Sequence, residues 1–97
     1  MRDRPISADG IRKWLNSGRS ESAAVITLAE IRETPMSVVA DYETPSRTSR
    51  VIFWFAGYCE FEIWTLEGQV YFRFEEEDVD SPVLRNALRE FFEELAK

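Results

Sequence analysis

Apolar and polar side chains alternate along most of this chain, and helical spacing replaces that alternation only near the two ends. Ile11, Trp14 and Leu15 recur at i, i+3 and i+4 behind Ser7, with Gly18 just after. This predicts a short helix over about residues 8–17, with Ser7 as its N-cap. Ser81-Pro82 marks a second helix start, with Pro at the first helical position and Asp80 beside it. Leu84, Ala87, Leu88, Phe91, Phe92 and Leu95 then make a broad apolar stripe that must dock on a sheet. Between the helices the period is two. Val25 to Glu33 and Met36 to Glu43 form a hairpin turning at Thr34-Pro35, with Glu33 paired to Met36. That pairing puts Val25, Ala29, Ile31, Val38, Ala40 and Tyr42 on one face. The segment TPSRTSR, residues 44–50, reads as a turn or loop of basic character.

Residues 50–80, RVIFWFAGYCEFEIWTLEGQVYFRFEEEDVD, are the most informative stretch. They read as three consecutive antiparallel strands with more aromatic side chains than one buried face can use. A tight turn at Ala56-Gly57 sets Phe55 against Tyr58, and a turn signal at Glu67-Gly68 sets Ile63 against Phe72. One face then holds Ile52, Trp54, Cys59, Phe61, Ile63, Val70, Phe72 and Phe74, and is wholly apolar. The other collects Val51, Phe53, Phe55, Tyr58, Glu60, Glu62, Trp64, Tyr71 and Arg73, with Glu62 and Arg73 as a cross-strand ion pair. For Val51, Phe53 and Phe55 two readings stay open: cover by the N-terminal helix or a twisted sheet, or exposure. Glu60, Glu62 and Arg73 must border solvent or a partner, because an unpaired buried ion loses several kcal/mol of solvation. Loops longer by an even number of residues preserve these faces.

The element order is α-β-β-β-β-β-α with short connections. The expected fold is α+β: a five-stranded antiparallel meander, a short N-terminal helix, and a C-terminal helix packed on one sheet face. Residues 1–97 are expected to form a single domain, long enough for a core without disulfides or metal. The single cysteine, Cys59, sits on the inward face and reads as a small core residue. The start, MRDRPISADG, lacks the apolar run of a signal peptide, and no stretch approaches a membrane span, so a cytoplasmic protein is expected.

Charge changes the picture more than composition does. The net charge is -6. Residues 1–57 are nearly balanced, whereas residues 58–97 hold a large excess of acids, clustered at Glu75, Glu76, Glu77, Asp78 and Asp80. Such a field repels nucleic acid and attracts a basic protein. Histidine is absent, the lone cysteine has no imidazole partner, and the four glycines are scattered. These features argue against an enzyme. A row of carboxylates at Glu60, Glu62 and Glu75 could hold a cation, but a solvated or partner-facing ridge suits it better, and no metal or cofactor is expected.

The segments RVIFWFAGYCEFEIW and EGQVYFRFEEEDVDSPVLRNALREFFEEL carry a resemblance. Their layout is similar to the TriTu-type immunity family of bacterial polymorphic toxin and contact-dependent inhibition systems. The matching positions are Trp14, Trp54, Gly57, Cys59, Glu62 and Ile63, the Ser81 helix start, and Phe91-Phe92. The chain departs at Phe55-Ala56, where small polar residues are expected. The resemblance implies a protein that binds and neutralises a cognate toxin made by a neighbouring cell. Many such toxins are nucleases with basic substrate sites, which an acidic, aromatic-studded face complements. The candidate contact residues are Tyr58, Glu60, Glu62, Trp64, Tyr71, Glu75, Glu76, Glu77, Asp78 and Asp80. The alternative is a small regulatory or adaptor domain, or a phage-type inhibitor, binding another basic protein. Monomer and homodimer both stay open.

Overall fold

The computed structural model describes residues 7–97. Helix α1 (Ala8–Ser20) is followed by strands β1 (Leu28–Glu33), β2 (Ser37–Glu43), β3 (Thr48–Trp54), β4 (Tyr58–Thr65) and β5 (Gly68–Glu75), and by helix α2 (Pro82–Leu95). The five strands form one antiparallel sheet in the order β1-β2-β3-β4-β5. The expected α+β meander is the observed architecture.

Both helices cover the same face. Ile11 and Leu15 of α1 join Leu84, Ala87, Leu88, Phe91, Phe92 and Leu95 of α2 in one core with Val38, Ala40, Tyr42, Val51, Phe53, Cys59, Phe61 and Ile63 of the sheet. Trp14 meets the edge of Phe53 at 5.9 Å, and Phe61 packs against Phe91 at 5.8 Å. The helix starts follow from their caps: the Ser7 hydroxyl accepts from the Gly10 N–H and the Ser81 hydroxyl from the Val83 N–H. Burial lifts the Tyr42 hydroxyl pKa to about 12, and the Cys59 thiol is raised well above its ordinary range by burial, then by Glu60 and Glu75. Cys59 should therefore react with a small alkylating reagent only as fast as the protein unfolds. Rapid labelling of the native protein would place that thiol outside the core.

Gly18 is not the helix stop that its spacing suggests. It lies inside α1, against the Leu88 and Phe92 side chains of α2. A Cβ there would collide with the Leu88 side chain, whose Cγ lies 2.8 Å away, and press on Phe92 at 3.3 Å. Gly18→Ala would raise helix propensity by about 1 kcal/mol, but forcing a well-packed contact apart costs about 1–3 kcal/mol. The expected net result is destabilisation in urea titration. Combining it with Leu88→Ala should then cost less than the sum of the two single changes, because the smaller side chain admits the methyl.

The register corrects the face assignment at two strands. The β3–β4 connection is a three-residue loop, Phe55-Ala56-Gly57, closed by the Gly57 N–H donating to the Trp54 carbonyl at 2.9 Å, with Gly57 at φ 108°. Trp54 therefore faces Tyr58, and Phe53 faces Cys59. One residue of loop length moves all of β3 across: Val51 and Phe53 are buried, while Ile52 and Trp54 lie on the far face. At β4–β5 the turn is Leu66-Glu67, and a bulge between Ile63 and Trp64 adds one residue. Ile63 consequently faces Tyr71 and Phe61 faces Arg73, so Tyr71, Arg73 and Glu75 lie on the helix side. Val70, Phe72 and Phe74 are 47%, 53% and 43% exposed rather than inward. The β1–β2 pairing is shifted by two residues, Glu33 meeting Val38, and an even shift leaves Ala29, Ile31, Val38, Ala40 and Tyr42 on one face as expected, whereas Val25 lies before β1 and is 69% exposed.

Candidate protein-binding surface

The sheet face away from the helices is uncovered by any described element, and its side chains fall into rows. Glu30, Asp41, Arg50, Glu62 and Phe72 cross all five strands. Arg32, Val39, Ile52, Glu60 and Phe74 form the next row. Ser37, Trp54 and Tyr58 close one end, and Leu28, Glu43, Thr48 and Trp64 the other.

Aromatic rings concentrate on the β3–β4–β5 side. Trp54 and Tyr58 stand 5.9 Å apart and Tyr58 and Phe74 5.5 Å, a tilted ladder that continues toward Phe72 along the exposed edge. The Trp54 indole N–H donates to a Glu60 carboxylate oxygen at 2.8 Å, which fixes both side chains on the surface. The β1–β3 side is electrostatically knitted. Asp41 accepts from Arg50 at 2.7 Å and from Arg32 at 2.8 Å. Partial burial would raise the Asp41 pKa, but the hydrogen bonds and charges of Arg50 and Arg32 outweigh it, so the carboxyl stays below its usual range. Arg50 is held charged first by that hydrogen bond and further by Glu62 opposite. The carboxylates of this face outnumber its two guanidiniums, so its field is acidic.

The candidate contact residues divide. Tyr58, Glu60, Glu62 and Trp64 share the open face, as expected. Tyr71 and Glu75 lie on the helix side instead. The Tyr71 hydroxyl donates to Glu90 at 2.8 Å, and burial, then Glu90, pushes its pKa up. Arg73 bonds Glu75 at 2.6 Å and Glu90 at 3.1 Å, so the anticipated Glu62–Arg73 pair is replaced by a network tying β5 to α2. Glu62 stands between Arg50 and Phe72. Glu76, Glu77, Asp78 and Asp80 belong to the connection between β5 and α2, where Asp78 turns the chain into the Ser81 cap and Glu76 and Asp80 are exposed. Trp54, Phe72 and Phe74 are members of the open face that the alternation had assigned to the core. The signal for Trp54 was Gly57, since a three-residue hairpin loop favours glycine at its last, positive-φ position.

At one end of this face a hollow of about 640 Å³ is lined by Thr44 to Thr48 and by Trp64 to Glu67. It places Arg47 of the basic loop beside Trp64, with Leu66 fully exposed at the hairpin tip. Among the described residues no group of three or more acidic, histidine or cysteine side chains is arranged to hold a metal, and no helix is long and apolar enough to cross a membrane.

A single sheet, closed by helices on one side and presenting ordered aromatics and carboxylates on the other, has the layout of a small binding domain. The chain belongs to the TriTu immunity protein family, whose model matches residues 9–94. No curated protein and no solved structure matches it.

Proposed function

We propose that this immunity protein neutralises a cognate bacterial toxin by seating a basic, nuclease-type toxin surface on the open sheet face. It acts as a single unit in the cytoplasm of a cell exposed to contact-dependent inhibition. The observation that carries this reading is the ladder Trp54–Tyr58–Phe74 beside Glu60 and Glu62, on a face that no described element covers. An ordered aromatic patch next to carboxylates supplies the two things a basic protein surface requires. The rings offer large rigid contact area, and the acids offer complementary charge. Trp64 extends the patch to the hollow by the 44–47 loop, and the exposed acids Glu76 and Asp80 add to the attracting field.

The test is protection of cells that express, as the candidate toxin, the C-terminal domain encoded by the neighbouring gene. Tyr58→Lys with Glu62→Lys should abolish protection and co-purification while the protein remains folded. Arg85→Glu on the exposed helix surface should leave both intact. The reverse pattern would move the contact to the helices.

A further inference from the structure

The two edges of the sheet differ. Strand β1 is short, its exposed side chains include Glu30 and Glu33, Arg32 is half-buried, and the Arg12 guanidinium of α1 donates to its Ile31 carbonyl at 3.3 Å. Charged, short and tied edges resist pairing with another chain. Strand β5 spans eight residues and pairs only with β4. Among the described residues no hydrogen bond reaches its outer backbone edge. Its one basic side chain, Arg73, does not guard that edge, because Glu75 and Glu90 hold it toward the helix layer. The bulge lies at the Ile63/Trp64 level, which leaves Tyr71 to Glu75 in regular register.

We infer that β5 is an acceptor edge onto which the toxin adds one extended strand whose residues alternate between apolar and basic. Two features of β5 fix that alternation. On the open-face side, Phe72 and Phe74 present half-exposed rings that call for apolar neighbours across the new pairing. On the helix side, Glu75 and Glu90 share the single guanidinium of Arg73, with Glu76 and Glu77 beyond them, so this flank keeps a net negative charge and calls for lysine or arginine. A second copy of this chain fits poorly, since it would bring the same acidic flanks together. In strand addition the backbone hydrogen bonds supply affinity and alternate side chains supply selectivity. This inference rests on the toxin-binding reading and names where part of the toxin sits.

Residue-resolved amide exchange of the full chain, alone and with the candidate toxin domain from the neighbouring gene, tests the inference. Alternate amides of residues 70–75, those pointing away from β4, should exchange readily in the free protein and slow by at least about tenfold in the complex. Phe72→Lys should weaken the complex by about tenfold or more without moving the urea midpoint, because it sets a charge against the apolar side chains that the alternation places on the open-face side. Tight, protective binding with those amides unchanged would overturn strand addition and leave the open-face reading standing. No binding of the toxin domain would overturn both. Amides already protected in a free protein that sediments as a dimer would assign the edge to a second copy and overturn the inference.

Discussion

Phe61→Ala should lower the unfolding free energy by about 3–5 kcal/mol, whereas Phe72→Ala should change it by less than about 1 kcal/mol. The two phenylalanines occupy adjacent strands, and alternation alone would put both inside. Phe61 is fully buried on the interior strand β4, against Phe91 of α2, and truncating it leaves a cavity that neighbours on β3, β5 and α2 cannot close. Phe72 stands on the opposite side of the sheet, 53% exposed, next to Glu62. Removing its ring takes little away from the core. Urea titration of the two variants beside the parent measures the difference directly. Equal costs would mean that β5 pairs with β4 one residue out of the register described above.

That contrast also explains how far the fold was legible from the chain. The helices, the five strands and their order follow from apolar spacing and turn residues, and the structure agrees. The faces of β4 were readable because Cys59, Phe61 and Ile63 alternate with Glu60 and Glu62, so only one choice avoids burying carboxylates. Strand β3 offers no such contrast over residues 51–54, where Val51, Ile52, Phe53 and Trp54 are all apolar. Only loop length decides its parity, and a loop of three residues in place of two inverts it. Strand β5 misleads in a different way. Its apolar set, Val70, Phe72 and Phe74, points outward, while Tyr71, Arg73 and Glu75 point to the helices and satisfy one another and Glu90. A strand that turns its polar set toward the core layer breaks the binary pattern. Such breaks concentrate where a surface serves something other than folding. The candidate site was legible to the same extent: Tyr58, Glu60, Glu62 and Trp64 ride on β4 and were placed together correctly. The parity of the β3–β4 loop hides Trp54, and that of the β4–β5 turn hides Phe72 and Phe74 and groups Tyr71 and Glu75 with the β4 residues instead.

Trp54→Ala should weaken toxin binding by about 2 kcal/mol or more, close to thirtyfold, chiefly through faster dissociation. The indole stacks on Tyr58 and donates to Glu60, so it is already held in one orientation before any partner arrives. A rigid aromatic loses little side-chain entropy on binding, which is why such residues dominate contact energies. Trp64→Ala, at the other end of the face, should act in the same direction. Glu60→Lys with Glu62→Lys should behave differently, slowing association and reducing its sensitivity to salt, because exposed charges act mainly on encounter. Surface-based kinetics against the toxin domain at two salt concentrations separates the two effects. Unfolding midpoints measured in parallel exclude loss of fold, since Trp54 and both glutamates lie outside the core cluster. Unchanged dissociation for both tryptophan variants, with protection of cells intact, would remove the open face from the contact. The toxin would then have to engage the β5 edge alone or the helix layer, where Trp14, Leu88 and Phe92 line a hollow of about 520 Å³ flanked by Arg85 and Arg89.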